Sequence, residues 1–128
     1  MTEQPLKILY LEDDPSLSEL AMIGLSAHPR MDVLHCGSGK EAIAASVSYQ
    51  PQLCLFDVML PEMDGPTAFS LVKETLCVEE LPVIFMTAKA QQHEVEHYMS
   101  LGALGVIRKP FNPLAIGDEV ESMWSKHQ

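Results

Sequence analysis

The feature that most constrains this chain is a strict alternation of two kinds of segment. Short apolar runs alternate five times with longer stretches of helical period. The runs are LKILYL (Leu6 to Leu11), MDVLHC (Met31 to Cys36), QLCLFDVML (a strand ending near Asp57), LPVIFMTA (Leu81 to Ala88) and ALGVIRK (Ala103 to Lys109). Strands and helices in this order predict an α/β fold: a doubly wound parallel sheet flanked by helices on both faces through right-handed crossovers. The third and fourth runs are apolar at nearly every position, as strands buried on both faces require.

Helix signals fall between the runs. Asp14 followed by Pro15 reads as an N-cap and first helical position. Leu17, Leu20, Ala21 and Gly24 then fall on one helical face, which predicts the packing stripe of the first helix. Ser38 with Glu41 predicts a capping box and a second helix to about Val47. Asp64, Gly65 and Pro66 open a third helix carrying Ala68, Leu71, Val72 and Thr75 at helical spacing. Gln91 to Ser100 form the fourth. Asn112 and Pro113 repeat the cap-and-proline signal before a fifth through Leu114, Val120 and Trp124. No repeat, linker or low-complexity tract interrupts residues 1–128, which read as one domain.

Composition narrows the partners. Eighteen acidic residues against eight basic give a formal charge of −10. No Lys/Arg stripe is available to neutralise phosphates, which argues against direct nucleic-acid binding and against an anionic membrane. No apolar run approaches the roughly 20 residues that span a bilayer. The opening MTEQPLK lacks a basic stretch followed by an apolar one, so no secretory signal is read and a cytoplasmic location is expected. Cys36, Cys54 and Cys77 are widely spaced without a CxxC pair, and read as buried apolar thiols.

In an open parallel sheet, ligands bind beyond the carboxyl ends of the strands. Strand one ends in Glu12-Asp13-Asp14, strand three in Asp57, strand four in Thr87 and strand five in Lys109. Taken singly, these are ordinary caps, a turn aspartate and a solvated lysine. Together at one edge they form a constellation. Three carboxylates there would repel one another, and Lys109 alone would not offset them. A hard divalent cation would, and a small oxygen-lined site that keeps several waters suits Mg²⁺ better than Ca²⁺. A carboxylate beside Mg²⁺ and an ammonium is poised to attack phosphorus, with Thr87 offering a hydroxyl to the transferred group.

The stretches ILYLEDDPSL (Ile8 to Leu17), DVMLPEMDG (Asp57 to Gly65), MTAK (Met86 to Lys89) and GVIRKPF (Gly105 to Phe111) resemble those of response-regulator receiver domains. The resemblance runs over essentially the whole chain. It implies a flavodoxin-like sheet of order 2-1-3-4-5 and a two-component signalling switch rather than an enzyme. Asp57 would accept the phosphoryl group from a histidine kinase or histidine phosphotransfer protein. The response would pass to a downstream protein target or to an output domain outside this chain. Residue by residue, the resemblance makes Asp13 a direct Mg²⁺ ligand, Glu12 a ligand largely through water, and Met59 a ligand through its backbone carbonyl. Asp57 serves as both ligand and acceptor, whereas Asp14 is a cap. Thr87 and Ala88 would bind the phosphoryl group with Lys109, and Lys109-Pro110 would be a cis bond.

One position departs. The resemblance implies an aromatic side chain three residues before the lysine that swings behind the threonine, and here that position is Val106. Valine is stiff at χ1 and too short for such a relay. The expectation is that the loop after Thr87 and the fourth helix move without an aromatic rotor. His93 and His97 read as exposed helical residues rather than metal ligands, His28 and His35 show no nucleophile–base pairing, and Met22, Met59, Met63, Met86 and Met99 read as packing. Three rival readings fit less well. A haloacid-dehalogenase-like Mg²⁺ phosphatase wants a second acid two residues after Asp57, where Met59 stands. A flavin carrier would find an acidic loop repelling its phosphate. A phosphorylation-independent pseudo-receiver scaffold would not need the acidic pair, Asp57, Thr87 and Lys109.

Overall fold

The computed structural model describes residues 4–128. Its elements alternate without exception: β1 (Leu6–Leu11), α1 (Pro15–Ser26), β2 (Met31–Cys36), α2 (Gly39–Tyr49), β3 (Leu53–Asp57), α3 (Gly65–Leu76), β4 (Val83–Thr87), α4 (Gln92–Ser100), β5 (Ala103–Arg108) and α5 (Ile116–His127). All four strand pairings are parallel, in the order β2-β1-β3-β4-β5. The order reverses beside β1, so β1 and β3 open a crevice at their carboxyl ends. Among the described residues no helix is long and apolar enough to cross a membrane.

Period-two alternation on the central strands sorts the core into two layers. Ile8, Tyr10, Leu53, Leu55, Ile84 and Met86 face Ala21 and Leu25 of α1 and Ile116 and Val120 of α5. Leu9, Leu11, Cys54, Phe56, Val83 and Phe85 face Ala42 of α2 and Ala68, Phe69 and Val72 of α3. In this second layer the rings of Phe56, Phe69, Phe85 and Tyr98 follow one another at 6.3, 6.1 and 5.5 Å. Helix α4 is different from the others: none of its residues is buried.

Several sequence expectations need correction in detail. The buried face of α1 is Ser18, Ala21 and Leu25, whereas Leu20 is 45% exposed. Ser18 can lie inside because its hydroxyl donates to the Pro15 carbonyl. Thr75 of α3 is likewise exposed, and Phe69 is buried instead. Ser38 does cap α2 by accepting from the Glu41 amide, but the Glu41 carboxylate accepts from the Gly37 amide rather than from Ser38. α2 runs past Val47 to Tyr49 and stops at Gln50, whose φ of 55° is left-handed. Asn112 caps a turn through the Leu114 amide, and α5 proper begins only at Ile116, which leaves Leu114 92% exposed. Cys77 is exposed, unlike Cys36 and Cys54. Met59 and Met99 are exposed at 60% and 44%, so only part of the methionine set is packing.

Gly24 is held by contact rather than by periodicity. A Cβ there would lie 2.1 Å from the Pro113 carbonyl oxygen and 2.8 Å from Ile116 Cγ2. The helix thus meets the β5–α5 connection backbone to backbone. Gly24→Ala in an open helix would add about 1 kcal/mol of stability. Here it is expected to remove roughly 2 kcal/mol, because a backbone carbonyl cannot step aside as a side chain can. Urea denaturation decides by sign, and a more stable variant would refute the close packing.

Candidate functional site

The carboxyl edge of the sheet gathers Glu12 from the end of β1, Asp13 one residue further, Asp57 from β3, Thr87 from β4, and Lys109 just past β5. Glu12, Asp57 and Thr87 are 1%, 3% and 1% exposed, whereas Asp13 faces solvent. Oxygens of Glu12, Asp13 and Asp57 all lie within 4.8 Å of one another. The Lys109 ammonium stands between two of them, 2.6 Å from Glu12 Oε1 and 2.9 Å from Asp57 Oδ2. Asp14 lies outside this group. It caps α1 by accepting from the Ser16 and Leu17 amides, as its place in the sequence predicts.

Local structure explains the placement. The β1–β2 ladder extends one step beyond the strands, with the Glu12 amide donating to the Cys36 carbonyl. The β3–β4 and β4–β5 ladders extend likewise through Val58 to Met86 and through Lys109 to Thr87. These bonds fix the backbone on which the acids and the lysine stand. Gly65 closes the loop after Asp57: its amide donates to the Val58 carbonyl, and a Cβ would fall 2.2 Å from the Asp57 carbonyl oxygen. Only glycine lets α3 start so close to the acid. The Lys109–Pro110 bond is cis, as the resemblance implies.

The charges do not balance. Burial, with the charge of Asp57, raises the Glu12 carboxyl to about 7, although Lys109 and the Asp14 amide work in the opposite direction. Burial alone would lower the Lys109 ammonium. Its close contacts with Glu12 and Asp57 outweigh that and hold it above its ordinary range. Three carboxylates face one ammonium, and the surplus negative charge is oxygen-borne and compact. That donor set fits a hard divalent cation of the Mg²⁺ kind.

Thr87 keeps its hydroxyl within the loop, where Oγ1 accepts from the Lys89 amide at 3.0 Å. Ala88 is exposed at the start of that loop, and Met59 follows Asp57 by two residues with its side chain in solvent. Val106 lies on β5 beside Phe85 in register. His93 and His97 are exposed on α4.

Two neighbours escape a reading of the sequence. His35 is the register partner of Tyr10, and its Nε2–H donates to the Glu12 carbonyl at 2.9 Å. The Tyr10 ring lies 5.4 Å from the imidazole, fully buried, and its hydroxyl has no partner among the described residues. Burial, with the charges of Glu12, Asp57 and Asp14, raises its pKa and keeps the phenol protonated. A parallel register between the first two strands would have disclosed this pair, but single-strand patterns do not set a register.

A five-stranded doubly wound domain with acids and a lysine at its carboxyl edge defines a class: an acidic, cation-competent switch-point site. The response regulator receiver domain family matches residues 8–121, and the chain belongs to it. As a receiver domain it is a two-component signalling switch. It is 32% identical over 122 residues to the transcriptional regulatory protein RprY of Bacteroides fragilis, covering 94% of this chain and 50% of that protein. It is 28% identical over 117 residues to the alkaline phosphatase synthesis transcriptional regulatory protein PhoP of Bacillus subtilis, covering 91% of this chain and 48% of that one. The chain therefore spans about half the length of these curated relatives. Its backbone matches the chemotaxis protein CheY4 of Vibrio cholerae with a TM-score of 0.82 at 22% identity, over 93% of this chain and 98% of that one.

The raised Glu12 carboxyl makes a pH prediction. Its protonated form is favoured in the folded state, so the stability it contributes is full below its ordinary 4.5 and is lost as pH rises through about 7. In EDTA, the stability of Glu12→Gln minus that of the wild type is expected to increase from about pH 5 to about pH 8, by on the order of 1–3 kcal/mol. Denaturant titrations at the two pH values measure it. A flat difference would mean that Glu12 is not held against its charge.

Proposed function

We propose that this chain is a phosphorylation-activated switch that accepts a phosphoryl group on Asp57. The observation that carries the reading is the Lys109 ammonium held 2.9 Å from a buried Asp57 carboxylate within a surplus of negative charge. Residues 1–128 form one receiver unit in this reading.

Glu12 and Asp13 would hold Mg²⁺ together with Asp57 and the Met59 backbone carbonyl. The cation supplies charge neutralisation for phosphoryl oxygens. The rest falls to the chain itself. An oxygen of Asp57 forms the bond to phosphorus as the phosphorus–nitrogen bond of a phosphohistidine breaks. Lys109, already drawn toward Asp57, neutralises charge on the transferring group. The Thr87 hydroxyl and the Ala88 amide donate to the phosphoryl oxygens afterwards. No general base is needed to activate Asp57, because a carboxylate attacks in its ionised form and has no proton to lose.

A histidine kinase or histidine phosphotransfer protein is the protein donor in this reading. The output is a downstream protein or a domain outside this chain, and the −10 charge disfavours a direct nucleic-acid contact by these residues. The protein works in the cytoplasm as a regulator and turns over no separate substrate. A relative fold, that of CheY from Borrelia burgdorferi in complex with CheX, beryllofluoride and Mg²⁺, has a TM-score of 0.77 and supports this ligand class.

Incubation with acetyl phosphate and Mg²⁺, read by intact mass, is expected to give one phosphoryl adduct. The adduct is expected to be absent from Asp57→Asn and from wild type in EDTA. No adduct on the wild type, or one that survives Asp57→Asn, would overturn the proposal.

A further inference from the structure

The loop that joins β4 to α4 is tied down at two points by groups from the strands. The Lys89 amide donates to Thr87 Oγ1 at 3.0 Å. One residue further along, the Ala90 carbonyl accepts from Arg108 Nη2 at 3.1 Å. Arg108 is the last residue of β5 and the register partner of Thr87, as Val106 is of Phe85. Two residues apart on one strand, Arg108 and Val106 leave the sheet on the same side, toward α4. We propose that Arg108 is a positioning residue that clamps the β4–α4 loop in its resting form through the Ala90 carbonyl. It thereby gives β5 a hold on the loop where Val106 offers no aromatic arm. The inference rests on the acceptor role of Asp57.

Little else holds the loop. No residue of α4 is buried, and its Tyr98 ring packs against Phe85 at 5.5 Å. Its N-terminus is closed on itself, with the Gln91 amide donating to the Glu94 carboxylate. The Arg108 contact is the long-range side-chain hydrogen bond that reaches this loop among the described residues.

The two ties act against a phosphoryl group on Asp57. Thr87 is 1% exposed, so its oxygen reaches Asp57 only by turning within the site. Turning it either stretches the bond from the Lys89 amide or carries Lys89 along. In this reading the bond holds and Lys89 follows, so residues 88–90 shift relative to β5 and the Ala90 carbonyl leaves the guanidinium. A contact made only in the resting form lowers affinity for any ligand of the other form, and removing it raises that affinity. A merely structural role would have the opposite sign.

The test uses the full chain and beryllofluoride with Mg²⁺ as the phosphoryl mimic, titrated by amide NMR. Arg108→Ala is expected to bind the mimic about three- to tenfold more tightly than wild type, the net worth of one ordinary solvent-exposed hydrogen bond. Mg²⁺ alone is expected to bind both proteins equally, and without ligand the Lys89 amide is expected to exchange faster in the variant. Unchanged or weaker affinity for the mimic in Arg108→Ala overturns the clamp, as does a loss of Mg²⁺ affinity. A wild type that takes up no mimic instead overturns the acceptor reading itself, and the two failures are read in different samples.

Discussion

Everything at this site turns on the ammonium of Lys109 standing between two buried carboxylates, 2.6 Å from Glu12 and 2.9 Å from Asp57. Charges this close in a partly desolvated edge interact far more strongly than on an open surface. Yet one ammonium leaves the third carboxylate, that of Asp13, without a counter-charge in the cluster. The arrangement is therefore stable enough to fold and short of neutral. A divalent cation answers the imbalance, and a phosphoryl group would be received by the same lysine without any new element being built.

The fold delivers that imbalance as a consequence of parallel pairing. Strands that all run one way end together, and the ladder bonds of Glu12, Val58 and Lys109 carry each strand's order one residue past its nominal end. The acids and the lysine therefore stand on backbone fixed by hydrogen bonds rather than on free loop. Gly65 adds the remaining constraint, because α3 begins within contact of the Asp57 carbonyl. The price of this rigidity is borne by Glu12, which burial and Asp57 hold against ionisation.

Much of this is legible in the sequence because each signal is local. Apolar runs locate the strands within a residue or two, Asp14, Ser38 and Asp64 mark helix starts, and the polar residues ending the strands mark the site. What is not legible depends on distances between elements. The stripe on α1 is displaced because Ser18 satisfies its own hydroxyl and Gly24 meets Pro113, neither of which a period of 3.6 encodes. Leu114 has the spacing of a helical residue and is instead exposed in the turn before α5. His35 reaches the Glu12 carbonyl only because β1 and β2 pair in one particular register.

Val106 illustrates the difference between a site and its readout. The site needs charges within a few ångströms, and strand ends supply them whatever lies on α4. The readout needs an element with two arrangements of similar energy. In this chain α4 has no buried residue, and its Tyr98 stands at the end of a row of rings that starts at Phe56 beside Asp57. A helix held so lightly can be biased by a single contact worth about 1 kcal/mol. In α3 such a contact would be outweighed by the burial of Ala68, Phe69 and Val72. On the proposal that Arg108 clamps the β4–α4 loop, control of α4 would rest on a polar contact at the end of β5 rather than on a ring in the core.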